Sequence, residues 1–218
     1  TNFSDLALSS TESSIPSFNH LNGLINARES YGQINLTMNN GTLSYPKFLY
    51  QPYLIQHFNS ELNWKIESNN KVKMAWQQTN LQMPEINLSS FGNYSQAESN
   101  VNATIALNNL KLNQVYKILP TTVSKATIKD LQKNLTSGSL NKTIIKINGN
   151  PEKFPFKHES GIFTLSGEMN NTSYNFIPKW TGFTNLNGKL SAKNQSINLK
   201  VNSASLDKLN LQGTSLEI

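Results

Sequence analysis

Catalysis needs reactive side chains that converge, and the candidates in this chain are few. The three histidines, His20, His57 and His158, stand far apart, with no His-Glu-x-x-His and no pair at metal-ligand spacing. They read as surface or turn residues. There is no Gly-x-Ser-x-Gly nucleophile elbow, no Gly-x-x-x-x-Gly-Lys phosphate cradle and no dinucleotide fingerprint. The chain contains no cysteine, which removes disulfides and cysteine-ligated zinc. A glycosidase-like acid/base pair would have to be assembled from distant positions, for instance Glu61, Glu85 and Glu168. The 13 acidic residues mostly fall beside turns or at the polar positions of alternating segments, where solubility accounts for them. The expectation is a protein that is not an enzyme, with no cofactor and no metal.

The remaining chemistry is that of apolar surface. Trp64 and Trp76 share parity with aliphatic neighbours, so each should point to the apolar face, where Met38, Met74 and Met83 add flexible, polarizable contacts. Parity puts Ile34, Leu36, Met38, Leu62, Trp64, Ile66, Val72, Met74, Trp76, Ile105 and Leu107 on one face. Such a face is either an ordinary packed core or a surface that accepts acyl chains, and composition does not separate the two.

The elements that position this face are strands. Period-two alternation runs through Ile34/Leu36/Met38, Leu62/Trp64/Ile66, Val72/Met74/Trp76, Ile86/Leu88, Val101/Ala103/Ile105/Leu107, Ile145/Ile147, Ile197/Leu199/Val201 and Leu209/Leu211. Turn chemistry divides them, as at Asn39-Asn40-Gly41, Ser68-Asn69-Asn70, Asn148-Gly149-Asn150, Asn170-Asn171 and Lys193-Asn194. About a dozen strands with short connections and no alternating helices predict an antiparallel meander rather than a parallel α/β fold. One interruption, around 112–137, reads as helical: Ser124 caps it, Ile128, Leu131 and Leu135 form its apolar stripe, and Gly138 ends it. That helix is expected to cover an end of the sheet. The meander itself can close as a barrel, pair as a sandwich or stay open as a trough.

Composition fits a sheet with one wet face. Charged residues are 15% of the chain against a usual figure of about 25%, and asparagine is roughly one residue in seven. About ten Asn-x-Ser/Thr triplets, for example at Asn35, Asn87, Asn93, Asn102 and Asn141, read as by-products of that abundance. The net charge is +6, but lysines are scattered and Arg28 is the single arginine, so no nucleic-acid partner is expected. No apolar run approaches the ~20 residues of a membrane span. The start at Thr1 and the end in an apparent strand, Leu216-Glu217-Ile218, suggest a segment of a longer protein, organised as strands over 1–110, a helical insertion over 111–138 and strands over 139–218.

From Gly149 onward Phe154-Pro155-Phe156, Gly161-Ile162-Phe163, Tyr174 and Pro178-Lys179-Trp180 follow one another, after Leu119-Pro120, the helical segment and Gly138. Looser matches precede them at Pro16-Ser17-Phe18 with Leu21-Asn22-Gly23, Tyr31-Gly32-Gln33-Ile34, Gln51-Pro52 and Leu62-Asn63-Trp64. This order resembles the YhdP branch of the AsmA-like proteins, with Lys153 where the family usually has Asp and Asp130-Leu131 where it usually has Trp-Leu. The resemblance implies an extended, curled antiparallel β-sheet with an open apolar groove, in which Phe154, Pro155, Phe156, Gly161, Phe163, Tyr174, Pro178 and Trp180 are structural. It further implies a periplasmic, bridge-like protein, anchored in the inner membrane. Its groove would shield phospholipid acyl chains in transit between inner and outer membranes, which it would reach through regions outside this segment. The alternative is a non-enzymatic β-sandwich or solenoid domain used for adhesion or assembly.

Overall fold

Alternation of apolar and neutral polar residues over 7 to 15 residues at a time leaves little choice but strands, and a computed structural model of the chain contains thirteen of them among the described residues. It describes residues 1–154, 156–157, 160–175, 182–207 and 209–217, with backbone alone for 216 and 217. Before the helical insertion come β1 (Asn2–Leu8), β2 (Ser17–Ala27), β3 (Tyr31–Ser44), β4 (Tyr53–Ile66), β5 (Val72–Met83), β6 (Ile86–Ser95), β7 (Asn100–Asn108) and the two-residue β8 (Leu110–Lys111). After it come β9 (Leu135–Gly149), β10 (Gly161–Tyr174), β11 (Phe183–Lys193), β12 (Ser196–Leu206) and β13 (Leu209–Glu217). Every pairing is antiparallel, in chain order from β1 to β13, with β8 set aside on β9. The sheet is open: its path ends on β1 and β13, which do not pair with each other among the described residues. A barrel and a two-sheet sandwich are thereby excluded. His158, Pro155, Pro178 and Trp180 lie outside the described residues.

The insertion holds a 3-10 turn (Leu112–Lys117) and one helix, α1 (Lys125–Asn134). Ser124 caps α1 as its position predicts, its Oγ accepting from Thr127 N–H at 3.0 Å. The C-terminal boundary differs from expectation. The helix stops at Asn134, and Leu135 and Gly138 already belong to β9. Gly138 keeps a positive φ of +118° inside the strand, and a Cβ there would meet Thr172 of β10. A glycine that reads as a helix stop is thus a strand glycine under a close neighbour.

Six non-glycine residues take left-handed backbone within strands: Asp5, His20, Asn40, Lys142, Asn171 and Asn185. All six stand at breaks in register between neighbouring strands, the bulges that bend a sheet and increase its twist. Asparagine and aspartate tolerate that region best. Asparagines also accept N–H groups at these bends, from Asp5 to Asn22 Oδ1 (3.0 Å), Thr42 to Asn19 Oδ1 (2.7 Å) and Asn171 to Asn187 Oδ1 (3.0 Å). The asparagine content of the chain therefore has a structural use.

The main core sits where the insertion folds over the sheet. Met38, Ile55, Met83, Ile86, Leu107, Leu110, Leu112, Leu135 and Leu140 are buried together, with Val115, Ile118 and Leu131 of the insertion packed against them. A second cluster, Leu186, Val201 and Ala204, holds β11 and β12. The loop between β3 and β4 reaches across to the insertion. Leu49 bridges to Pro120, Thr121 N–H donates to Phe48 O at 3.0 Å, and Thr121 Oγ1 donates to Lys47 O at 2.7 Å. These contacts join parts of the chain separated by β4 to β8, which requires the sheet to curl.

Candidate functional site

Directly paired residues of antiparallel strands lie on the same face, so register traces a face across the whole sheet. One row runs Phe3, Gly23, Leu36, Ser60, Thr79, Ser90, Ile105, Ile145, Leu165, Ala192, Ile197, from β1 to β12 without a gap. Beside it runs Ile25, Ile34, Leu62, Trp76, Gly92, Ala103, Ile147, Phe163. Next to that lies Gly32, Trp64, Met74, Tyr94, Val101, Gly149, Gly161. No charged residue interrupts any of the three. The opposite face carries rows such as Asn26, Gln33, Asn63, Ala75, Asn93, Asn102, Asn148, which is where many of the asparagines go.

All eleven residues singled out by parity fall on the apolar face. They do not share one environment. Met38 and Leu107 are 5% and 7% exposed, inside the core under the insertion. Ile34, Leu36, Leu62, Trp64, Val72, Trp76 and Ile105 are half-buried, while Ile66 and Met74 are 36% and 38% exposed. The face is thus a dry core on the side of the insertion and an uncovered apolar surface on the side of the short turns.

Glycines and hydroxyls shape that surface, and neither was singled out by parity. An added Cβ at Gly32 would strike the ring of Trp64, at Gly92 the ring of Trp76, and at Gly23 the ring of Phe3. Large rings therefore lie flat over neighbouring strands instead of standing up from them, which keeps the surface smooth. Ser60, Thr79 and Ser90 are the polar residues in the first row. They satisfy one another and the indole: Ser60 Oγ and Thr79 Oγ1 are 2.6 Å apart, and Trp76 Nε1–H donates to Ser90 Oγ at 2.9 Å. Donors already paired present little unmet polarity to an apolar ligand. The signal for these residues is cross-strand register, which a single sequence does not state.

Among the described residues that carry the motifs, Phe154 and Phe156 pack at the end of the third row where Gly149 pairs with Gly161. Phe156 is 1% exposed and sits on the paired Gly149 and Gly161, where a Cβ would come within 2.8 and 2.6 Å of its ring. Phe154 stacks edge-to-face on both Phe156 and Phe163, with centroids 5.6 and 5.5 Å apart. Tyr174 O–H donates to Asp130 Oδ2 at 2.8 Å, tying β10 to α1. Burial, with help from Asp130, holds the Tyr174 phenol above its ordinary pKa. Tyr53 is raised likewise by burial and by Glu85, and its hydroxyl is buried without a hydrogen-bond partner.

Groups that would do other chemistry are dispersed. His20 Nδ1 meets Asp5 Oδ1 at 2.7 Å and His57 Nδ1 meets Asn39 Oδ1 at 2.7 Å, both at exposed positions. Glu61 lies on the polar face of β4, Glu85 in the β5–β6 turn with Lys117, and Glu168 on β10 with Lys142. Among the described residues no three histidines or carboxylates are grouped as metal ligands would be, and no helix is long and apolar enough to cross a membrane.

The YhdP protein family matches residues 1–218, the entire chain. The chain belongs to the YhdP family. A curated relative, the intermembrane phospholipid transporter YhdP of Escherichia coli (strain K12), is 20% identical over 196 residues. That alignment takes in 88% of this chain but 15% of the relative, so the chain spans a small part of a much longer protein's length. That relative's name describes a transporter rather than a catalyst. No solved structure matches the chain.

Proposed function

We propose that this chain is one segment of a bridge-like phospholipid transport protein, and that its uncovered apolar face shelters acyl chains on their way between the inner and outer membranes. The observation that carries the reading is the uncharged face running in register from β1 to β12 while staying only half-buried along the side of the short turns. A dry core would have been covered. The relative's name, an intermembrane phospholipid transporter, supplies the cargo and the envelope setting.

The energetics set what such a surface must do. Exposing an acyl chain of ~16 carbons to water costs about 0.8 kcal/mol per CH₂, or roughly 12 kcal/mol. The face must offset nearly all of this at every step, because any polar gap becomes a barrier of several kcal/mol. Smooth walls of mobile aliphatic and flat aromatic groups meet that need better than a fitted pocket. Twelve strands spaced ~4.8 Å apart give a path on the order of 50 Å, room for one or a few lipids, with the periplasm as its setting. The whole chain acts as a single groove segment, and its flanking regions supply membrane anchorage. Native mass spectrometry of the purified chain tests this: co-purifying phospholipid is expected, and its absence from protein released in mild detergent would contradict it.

A further inference from the structure

The insertion carries more positive charge than its own fold can use. Between positions 111 and 134 there are five lysines and one acidic residue, Asp130. Asp130 is committed to Asn134 and Tyr174, accepting from them at 2.6 and 2.8 Å. Lys117 is held by Glu85 at 3.0 Å. Lys125 and Lys129 have no carboxylate partner among the described residues. They sit at i and i+4 on α1, where like charges face each other, and Lys125 opens a helix whose first turn has no acidic residue. Both arrangements work against the helix, since its N-terminal end is already the positive pole.

Lys125 and Lys129 line a concavity together with Ile128 of α1, Tyr116 of the 3-10 turn and Tyr50 of the β3–β4 loop, with Lys117 at its side. The walls come from segments about 70 residues apart, fixed by the Tyr50 hydroxyl, which donates to Val123 O at 2.6 Å. We infer that this concavity is a binding site for the phosphate group of a phospholipid, with Lys125 and Lys129 as its cationic contacts and the two tyrosines and Ile128 as the wall beside the glycerol. The site lies on the outward side of the insertion whose inward side, Leu131 and Val115, packs on the apolar face. A lipid would meet it while entering or leaving the groove. This deepens the reading of the chain as a phospholipid carrier and rests on it.

The test titrates the chain with dihexanoyl-phosphatidylglycerol, with dihexanoylglycerol, which has the same acyl chains and no phosphate, and with glycerol 3-phosphate. Calorimetry reports affinity and tryptophan fluorescence reports occupancy of the apolar face. The phospholipid should bind at least about tenfold tighter than the diacylglycerol, the value of one charge-assisted hydrogen bond. The double variant Lys125→Gln, Lys129→Gln should erase that preference and leave diacylglycerol binding unchanged. Lys125→Glu should also weaken phospholipid binding while raising the melting temperature of the free chain, because it relieves both unfavourable charges on α1. Equal affinity for the two lipids, or a preference that survives the double variant, would overturn the phosphate site and leave the groove untouched. Binding of glycerol 3-phosphate alone, lost in the double variant, would instead show a phosphate site without lipid and overturn the acyl-chain reading. Failure of all three ligands to bind would remove both.

Discussion

Leu36 and Met38 are two residues apart on β3, point to the same face, and should respond very differently to aspartate. Met38 is 5% exposed in the core under the insertion. Met38→Asp forfeits about 2 kcal/mol of burial and strands a carboxylate with no partner, which adds several kcal/mol more. The sum, roughly 5 kcal/mol or above, matches the whole stability of an ordinary domain. Leu36 is half-buried between Gly23 and Ser60, on the uncovered part of the face. Its aspartate can turn to water, so the loss is about half of one side chain's burial, ~1 kcal/mol, with as much again for imperfect hydration. At 2–4 °C per kcal/mol, Leu36→Asp should lower the melting temperature by roughly 2–8 °C while removing co-purifying lipid. Urea titration followed by circular dichroism, with lipid extraction in parallel, reads both quantities. Two variants that unfold alike, or a Leu36→Asp that keeps its lipid, would refute the division of the face into core and open surface.

Phe156→Ala should cost roughly 3–5 kcal/mol, and Gly161→Val roughly 1–3 kcal/mol by driving a side chain into the Phe156 ring, both read by chemical melts. The phenols of Tyr53 and Tyr174 are raised above 10.0, so the folded chain keeps protons that the unfolded chain loses. Stability present in full below pH of about 10 should therefore fall as pH rises beyond it, and Tyr53→Phe with Tyr174→Phe should flatten that fall in melts taken across the range. At neutral pH Tyr53→Phe alone should be neutral or stabilising, since the hydroxyl it removes is buried without a partner.

Strand existence, the polarity of the faces and the capped helix could be read from residue order because each depends on neighbours in sequence. Ile34, Leu62, Trp64 and Trp76 announce their face through alternation, and Ser124 announces α1. Gly138 misleads for a local reason: a glycine after an apolar helical stripe looks like a stop, whereas the close approach of Thr172 from β10 is what demands it. The split between Leu36 and Met38 is also invisible locally, because it is set by an insertion some 75 residues away. The same holds for Ser60, Thr79 and Ser90, whose hydroxyls are acceptable on an apolar face only because register brings them together. Openness of the sheet depends on what β1 and β13 fail to meet, and no alternation encodes that.

Site-specific photo-crosslinking tests the central claim most directly, with a benzoylphenylalanine placed in turn at Leu36, Leu62, Met74 and, on the polar face, at Asn63, Lys73 and Asn93. Cells labelled with radioactive phosphate should yield lipid adducts at the first three positions and none at the others, with Met38 in the buried core also silent. Equal labelling of both faces, or labelling of neither, would contradict an acyl-chain groove on this sheet.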